Sequence, residues 1–221
     1  MKKSIKLLSH ILDSNTPSYG NRDHLNIEET SQISKGASAN SSRWVFETNH
    51  LGTHIDMPKH FFDDGQTLTD FPLDFWISDK VQLIDSPCDG AKLIDIETSI
   101  EEIDYSTEVL LIRTGFEIYR GTDKYWNDNP GLSPSFGFWL RENRPNIKIV
   151  GFDFISLTSW KYREEGKKAH HAFLNPEGIG NPICIVEDMS LKNSNQQIKE
   201  LIISPIIVSN SNGSPVTIFS T

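Results

Sequence analysis

Three of the chain's seven histidines lie close to one aspartate in the segment HLGTHIDMPKH. His50, His54 and Asp56 come first, and His60 follows just beyond Pro58. Imidazole and carboxylate groups form a ligand set that suits Zn²⁺, Mn²⁺ or Fe²⁺, and three protein ligands with one open position are typical of a catalytic metal site. The pattern therefore predicts a metal site. The alternative is a hydrophilic loop whose histidines cap turns and bond to the backbone.

The backbone of this segment is expected to form a turn rather than a helix. His50 and His54 are four residues apart, as two ligands on one helical face would be, but Gly52 and Pro58 argue against a regular helix. We expect a tight turn after the strand-like run RWVFET, in which Gly52 lets the backbone double back so that the ligands converge. Pro58 stiffens this turn and is expected to hold His60 near the metal without binding it.

Two further candidates for the site lie in the second half of the chain. His170 and His171 are adjacent in KKAHHAFL, and neighbouring residues on a helix point about 100° apart, so at most one of them faces a given site. The alternative for this pair is a surface position or a helix end. Glu187 finishes the apolar run PICIVE, where a buried carboxylate needs a cation or several donors to offset its desolvation. The alternative for Glu187 is the exposed end of a strand.

The remaining pattern predicts a mixed α/β fold. Runs rich in Val, Ile and aromatic residues predict strands at Arg43 to Thr48, Lys80 to Asp85, Val109 to Thr114, Ile147 to Ile155 and Ile183 to Glu187, with LIISPIIV and VTIFS near the C-terminus.

Two helices and one long loop complete this pattern. One helix is predicted from Ser133 to Glu142, with Ser133 as its cap and Pro134 in the first helical position. Phe138 and Trp139 are expected to supply its apolar stripe. A second helix begins near Lys167, the polar segment from Arg120 to Ser133 predicts a covering loop, and the NSNQQ segment from Asn193 to Gln197 predicts a solvated connector.

Length and composition limit the class of protein. The 221 residues are enough for one sizeable core, and we expect one domain. With 21 basic and 30 acidic residues the net charge is -9, the wrong sign for binding nucleic acid. The N-terminal segment MKKSIKLLSHILDSN lacks the unbroken apolar run of a signal peptide, and no run is long enough to cross a membrane. Cys88 and Cys184 predict no disulfide framework, so we expect a soluble cytoplasmic protein without a membrane partner.

The motif HLGTHIDMPKHF resembles the signature of the cyclase family of metal-dependent hydrolases, which includes bacterial kynurenine formamidases and isatin hydrolases. The likeness extends over nearly the whole chain, through LSHIL, TPSY, VLLIRTGF, NPGLS, GFDFIS, HHAFL, IVEDM and GSPVTIF. It implies one domain over residues 1–221, a single mixed α/β domain of the swivelling β/β/α type.

This resemblance also assigns roles to residues. It implies that His50, His54 and Asp56 bind a divalent metal, Zn or Mn, as one or two ions. It implies that His60 transfers protons. HHAFL matches the family with His170 in a ligand position, and Glu187 takes the place of the family's glutamate. Extra residues around GIGNP leave His171 as the alternative ligand, and EDM replaces the more usual glutamate-asparagine-leucine.

The chemistry implied is the hydrolysis of a small molecule. A divalent ion held by imidazoles and a carboxylate lowers the pKa of bound water toward ~7, so that hydroxide attacks the carbonyl of an aryl formamide or cyclic amide. His60 takes up the proton and returns it to the leaving group. This is an arylformamidase-like activity of the kind used in tryptophan catabolism. No GxSxG elbow is present, and neither cysteine has a nearby histidine in sequence.

Two matters stay open at the level of sequence. The segment SLTSWKYREEG is unlike the formamidases, so the substrate is undetermined, and an inactive metal-stabilised binding or scaffold protein on the same fold is the second hypothesis. The C-terminal strand-like runs offer either open edges or internal strands of one sheet. Because the resemblance is to a family of dimers and higher oligomers, we expect a homodimer or homotetramer.

Overall fold

The computed structural model describes residues 5–95, 103–194 and 197–221. The start of the predicted N-terminal segment and residues 195–196 of the predicted connector lie outside this range. In the described part of the chain, no helix is both long and apolar enough to span a membrane.

Thirteen strands and three α-helices are present in the described residues. The strands are β1 (Lys6–Leu7), β2 (Leu25–Ser31), β3 (Ser41–Phe46), β4 (His54–Asp56), β5 (Ile77–Ser78), β6 (Val81–Asp85), β7 (Leu93–Ile94), β8 (Val109–Arg113), β9 (Gly131–Leu132), β10 (Ile149–Phe152), β11 (Cys184–Glu187), β12 (Leu201–Pro205) and β13 (Gly213–Ser220). The helices are α1 (Asp123–Asn127), α2 (Pro134–Asn143) and α3 (Arg163–Leu174).

One mixed sheet of nine strands organises the fold. Its order is β5-β12-β13-β4-β11-β10-β8-β6, with β1 also paired to β13. Strands β6, β8, β10 and β11 are parallel, whereas β4, β13, β12 and β5 are joined by antiparallel pairs. Only Asp79 and Lys80 separate the two edge strands β5 and β6 in the chain, so the sheet must curl until its edges approach each other. The result is a nearly closed, barrel-like sheet in a single mixed α/β domain.

The sheet separates two apolar cores. One core lies between the parallel strands and helices α2 and α3, and it includes Val150, Phe152 and Phe173. The other includes Ile55, Leu111 and further residues of β12 and β13 on the opposite face. Strands β8, β10 and β11 are apolar on both faces because each face contacts one of these cores, as is typical of parallel strands.

The predicted core strands are present with shifts at their ends, and two of the helix expectations need correction. Helix α2 is capped as expected, with the Ser133 hydroxyl accepting a hydrogen bond from the Phe136 amide. Its predicted apolar stripe is wrong at Phe138, which is 57% exposed, because the buried face is formed by Phe136 and Leu140. Helix α3 begins at Arg163 rather than near Lys167. The predicted covering loop also contains α1 and β9.

The C-terminal strands do not leave open edges. Strand β12 pairs with β13 on one side and with β5 on the other. Strand β13 pairs with β12, β4 and β1. Of the two alternatives left by the sequence, the structure has the second, because both runs are internal strands of the sheet. The run LIISPIIV ends as a strand at Pro205, and Ile206 to Val208 are exposed.

A buried arginine connects α2 to the end of α3. The Arg141 guanidinium donates hydrogen bonds to the backbone carbonyls of Ala172, Asn175 and Gly180, at 2.9, 2.7 and 2.9 Å. The last carbonyls of a helix lack intrahelical donors, so this side chain satisfies groups that would otherwise be buried without partners. Arg141 thus fixes the C-terminal end of the helix that contains His170.

We expect Arg141→Met to lower the free energy of unfolding by about 2 to 4 kcal/mol, because buried carbonyls lose a charged donor. Urea denaturation measures the change. Lys168→Met is the matched control on α3, since Lys168 is exposed and, in the described part of the chain, forms an ion pair with Glu165 alone. It should change stability by less than ~0.5 kcal/mol. Equal effects of the two substitutions would contradict the role of Arg141.

Candidate metal centre

Strand pairing places three of the predicted ligands on one face of the sheet. Side chains alternate along a strand, so His54 and Asp56 point to the same side of β4 while Ile55 packs into the opposite core. Glu187 on β11 lies directly opposite His54 in the antiparallel register and therefore shares this face. The His54 Nε2 atom is 3.4 Å from both Asp56 Oδ1 and Glu187 Oε2. The expected tight turn is wrong for His54 and Asp56, because they lie on a strand.

The turn predicted at Gly52 is present, and it lies just before the strand β4. The Gly52 φ of 61° lies in the left-handed region that favours glycine. A Cβ atom there would lie 2.7 Å from Leu12 and 2.8 Å from Thr16 side-chain carbons. Gly52 therefore allows the loop before β4 to pack closely against the N-terminal segment.

His50 precedes this turn and reaches the same carboxylate. Its Nδ1 atom is 2.6 Å from Asp56 Oδ1, and its Nε2 atom is 3.2 Å from Asn212 Oδ1. Asn49 donates a hydrogen bond to the same Asn212 oxygen. At 2.6 Å the contact with Asp56 is a hydrogen bond in which Nδ1–H donates to the carboxylate, because two lone pairs would repel at this distance.

His60 ends a short 3₁₀ turn, Pro58–His60, that begins with the proline noted in the sequence. Its ring stacks on His50 with the ring centroids 4.0 Å apart, and it lies 5.9 Å from the ring of His170. The structure thus places His60 beside the predicted ligands. Its role in proton transfer stays a prediction.

Of the two adjacent histidines, the structure brings His170 to the cluster. His170 is buried, and its Nε2 atom is 3.7 Å from Asp56 Oδ2. His171 is exposed and packs edge-on against the rings of Phe61 and Phe62. Gly166 makes the approach of α3 possible, because a Cβ atom at this position would collide with the Thr158 side chain.

Backbone carbonyls orient two of the imidazoles. His54 Nδ1 donates to the carbonyl of Gly52 and His170 Nδ1 donates to that of Gly166, each at 2.8 Å. A carbonyl only accepts, so each Nδ1 atom carries the hydrogen and each Nε2 atom faces the carboxylates. This arrangement is the one that metal-binding histidines commonly show.

The two carboxylates of the cluster are almost fully buried, Asp56 being 1% and Glu187 3% exposed. Burial, followed by the negative charge of Asp56, raises the pKa of Glu187 to about 7 against the opposing effect of His54. Burial also opposes ionisation of Asp56, but the imidazoles of His60 and His50 outweigh it and hold the pKa of Asp56 well below its usual value.

The histidines respond in opposite directions to the same surroundings. Burial lowers the pKa of His60 to about 4. Burial acts on His54 in the same sense, but its hydrogen bond and charge interaction with Asp56 outweigh it and raise its pKa to about 9. The two buried carboxylates therefore favour a positive charge between them. A divalent cation would supply this charge without a proton on any of the histidine ligand atoms. The residues present fit a metal ion.

The donor atoms form two groups that share Asp56. One group is His50, Asp56 and His60, and the other is His54, Asp56 and Glu187, with ligand atoms in each group within 4.8 Å of one another. Carboxylate oxygens can bridge two cations, so the geometry accommodates one ion or two. The first group also permits His60 to act as a ligand.

A cavity of about 290 Å³ opens onto this cluster. Its other walls include Ser156 and Thr158 from the SLTSWKYREEG segment, which sequence reasoning expected to line a pocket, and Tyr19, Arg22 and Phe61, which it missed. The amide of Leu157 and the hydroxyl of Ser156 donate to Glu187 Oε1, at 2.6 and 3.3 Å. The segment SLTSW begins four residues after the end of β10, and ligands bind at the carboxyl ends of parallel strands in many α/β folds. That placement explains why this segment lines the cavity.

A second network of hydrogen bonds, centred on Asp188, lies next to the cluster. Asp188 has a φ of 52°. Its Oδ1 atom accepts from Arg120 Nε and its Oδ2 atom from Arg120 Nη2, both at 2.9 Å. The Tyr125 hydroxyl also donates to Oδ1. The backbone carbonyl of Asp188 accepts from the Thr53 hydroxyl. The loop before His54 is thereby fixed to the end of β11. Sequence reasoning noted the unusual aspartate in EDM but did not pair it with Arg120.

Comparison with known proteins agrees with this fold. The model of the family described as "Putative cyclase" matches residues 7–159, and the chain belongs to this family. A kynurenine formamidase from Bacillus cytotoxicus is 27% identical over 168 residues, covering 76% of this chain and 73% of its own length. An uncharacterised protein from Haemophilus influenzae is 33% identical over 111 residues, which cover 48% of this chain and 78% of that protein.

Solved structures of similar fold include isatin hydrolase A from Labrenzia aggregata. The match has a TM-score of 0.79 at 22% identity and covers 98% of this chain and 93% of that one. A second isatin hydrolase structure matches with a TM-score of 0.80 at 19% identity, over 99% of this chain and 92% of the other.

We expect His170→Ala to lower metal affinity at least 10- to 100-fold. This is the range lost when a residue that only hydrogen-bonds to a metal ligand is changed, and removing a ligand should cost at least as much. His171→Ala should retain full affinity, because its ring faces away from the cluster. Equilibrium dialysis against Zn²⁺ or Mn²⁺ with metal analysis measures both, and His54→Ala is the positive control. Loss of metal in the His171 variant, or none in the His170 variant, would overturn the assignment.

Proposed function

We propose that this protein is a metal-dependent hydrolase that cleaves an amide-type C–N bond, in an aryl formamide or a cyclic amide, with a kynurenine formamidase-like activity. The observation that supports it most is the buried cluster of His54, Asp56 and Glu187 at the base of an open cavity. A structural zinc site is closed and rich in cysteine, whereas these ligands are accessible to a small molecule.

The cation in this proposal is held by His50, His54, Asp56, His170 and Glu187. Zn²⁺ or Mn²⁺ would supply Lewis acidity there, activating water at neutral pH and polarising a carbonyl oxygen. The protein fixes the imidazoles through the carbonyls of Gly52 and Gly166, so the donor nitrogens need no reorganisation when a cation binds.

His60 is the group we assign to proton transfer. Because burial lowers its pKa, its ring is neutral near pH 7 and a ring nitrogen has a lone pair that can take a proton from the attacking water. The same nitrogen can then return the proton to the leaving nitrogen. Stacking on His50 holds the ring in place during both transfers.

The two cysteines do not offer a competing covalent route. Cys184 is buried in the core opposite the cluster, and burial raises the pKa of its thiol. Cys88 donates its thiol hydrogen to the carbonyl of Gly90. Neither sulfur atom is therefore placed to attack a substrate in the cavity.

The similar proteins support an aromatic amide as substrate. Curated relatives in several Bacillus species are named kynurenine formamidase, and one matching isatin hydrolase structure contains the product analogue thioisatinate. The cavity volume of about 290 Å³ fits a molecule of this size. We place the reaction in tryptophan catabolism by this similarity.

The test is a panel of aryl formamides, cyclic amides and lactones assayed with the protein after metal-free preparation and again with Zn²⁺ or Mn²⁺ restored. We expect metal-dependent hydrolysis of at least one amide in the panel. Stoichiometric metal binding without turnover of any compound would instead support the second hypothesis, a binding or scaffold protein that retains the fold and the metal.

We expect His60→Gln to retain metal and to lose roughly 10² to 10⁴ in kcat, the usual range for general acid–base catalysis. Metal content by dialysis and kcat are measured on the same preparation. Loss of metal together with activity would show that His60 is a ligand, as its position in the first donor group permits.

We also propose that the chain forms a homodimer or homotetramer. Strands β2 and β3 form a two-stranded sheet that is separate from the main sheet, and the paired side chains of Ile27 and Trp44 are 47% and 65% exposed. An isolated hairpin is marginally stable, so a second copy that covers these side chains would stabilise it. Light scattering at micromolar concentration should give a multiple of 25.1 kDa. A mass of one chain would overturn this proposal.

A further inference from the structure

A second cavity of about 170 Å³ adjoins the one at the metal cluster. The two cavities share Tyr19, Arg22 and Thr158 as lining residues. The second cavity adds Trp160 and Arg163, which belong to the segment that differs from the formamidases, and Lys167, which follows that segment. A ligand that reaches the cluster therefore passes or extends into a space with three cationic side chains.

Helix α3 relates this second cavity to the metal cluster. Arg163, Lys167 and His170 are spaced four and three residues apart, so they lie along one face of the helix. At a rise of 1.5 Å per residue, the backbone of Arg163 is roughly 10 Å from that of His170 along the helix axis, and Lys167 is roughly 5 Å away. The cations are thus at a distance that a single small aromatic molecule can span.

The guanidinium groups in this cavity are not neutralised by the protein. Within residues 5–95, 103–194 and 197–221, neither Arg22 nor Arg163 makes an ion pair. The Arg163 guanidinium lies over the Trp160 ring, 3.7 Å from its centroid. Stacking in this way leaves the N–H groups at the edge of the guanidinium plane available to an acceptor.

Aromatic surface lies directly beside these cations. The rings of Tyr19 and Trp160 are 5.2 Å apart, and both line the second cavity. The Tyr19 hydroxyl interacts with the Arg163 guanidinium, so these two side chains lie beside each other. A hydroxyl oxygen that accepts from a guanidinium keeps its own hydrogen, so Tyr19 is an additional donor for a ligand in this space.

The charge balance favours a monoanion. Lys167 is paired with Glu164 at 2.9 Å, and Asp23 lines the cavity at the cluster beside Arg22. About one positive charge is therefore in excess. A carboxylate is planar and carries one charge, so it matches this excess and binds a guanidinium edge in a bidentate way, whereas the charge of a phosphate dianion would exceed it.

We propose that the second cavity is a carboxylate subsite, so that the preferred substrate is an aromatic amide with a carboxylate roughly 5 to 10 Å from the bond that is cleaved. This inference rests on the proposed hydrolase function for its kinetic consequence. Arg163 binds the carboxylate, Arg22 adds positive charge, and Tyr19 and Trp160 contact the ring. Arg163 is a specificity residue that has no contact with the reacting bond.

The kinetic test uses matched substrates that differ only in charge. They are 4-formamidobenzoate, 4-formamidophenylacetate and 3-(4-formamidophenyl)propanoate, each paired with its carboxamide. We expect at least one carboxylate to have a kcat/KM at least 10-fold above its carboxamide, with the advantage decreasing at high ionic strength. Arg163→Gln should raise KM for that carboxylate about 10- to 100-fold, leave kcat unchanged, and leave the carboxamide unaffected. Lys168→Gln, on the same helix but outside the cavity, should change neither.

A binding measurement separates failure of the subsite from failure of the hydrolase proposal. Isothermal titration with 3-phenylpropanoate and 3-phenylpropanamide needs no turnover, and wild type should bind the carboxylate at least 10-fold more tightly than Arg163→Gln does. Binding with this dependence but no hydrolysis of any formamide would retain the subsite and overturn the hydrolase. Hydrolysis with equal kinetics for acid and amide, or binding that Arg163→Gln does not weaken, would overturn the subsite and leave the hydrolase proposal intact.

Discussion

The burial of two carboxylates on one face of the sheet is the constraint on which the site depends. Asp56 and Glu187 cannot both stay ionised in an apolar interior unless positive charge lies beside them. The surrounding imidazoles can supply that charge only by taking up protons, which would remove them as ligands. A divalent cation resolves this conflict, because it neutralises the carboxylates and accepts the histidine lone pairs together. A cation held here would couple metal binding to folding, and it should stabilise the native state.

The location of this cluster follows from the topology of the sheet. Its parallel half ends at β11, where the antiparallel strand β4 takes over. At that junction the carboxyl end of β11 and the start of β4 lie side by side, so Glu187 and His54 become neighbours although they are far apart in sequence. Helix α3 connects β10 to β11 and passes over the same end, which brings in His170. Candidate ligands that are distant in sequence therefore lie together at the junction between the parallel and the antiparallel parts of the sheet.

Sequence reasoning predicted the parts of this arrangement that are encoded locally. The alternating or continuous apolar runs predicted the positions of most core strands. The short spacing from His50 to Asp56 indicated a shared metal site. It did not predict that His54 and Asp56 lie on a strand, because three residues are too few to show a period. The pairing of Asp188 with Arg120 and the selection of His170 over His171 depend on contacts across the sheet. No spacing along the chain contains that information.

The chemistry and the specificity of the site reside in different kinds of structure. The cluster is built on strands β4 and β11, whose positions are fixed by pairing on both sides and by two apolar cores. Tyr19 and Arg22 come instead from loop and turn segments, Trp160 comes from the segment before α3, and Arg163 is the first residue of α3. Changes there alter charge and aromatic surface without moving the ligands. The same helix that presents Arg163 at its start presents His170 two turns later, so α3 fixes the distance between the proposed substrate-binding group and the proposed metal ligand.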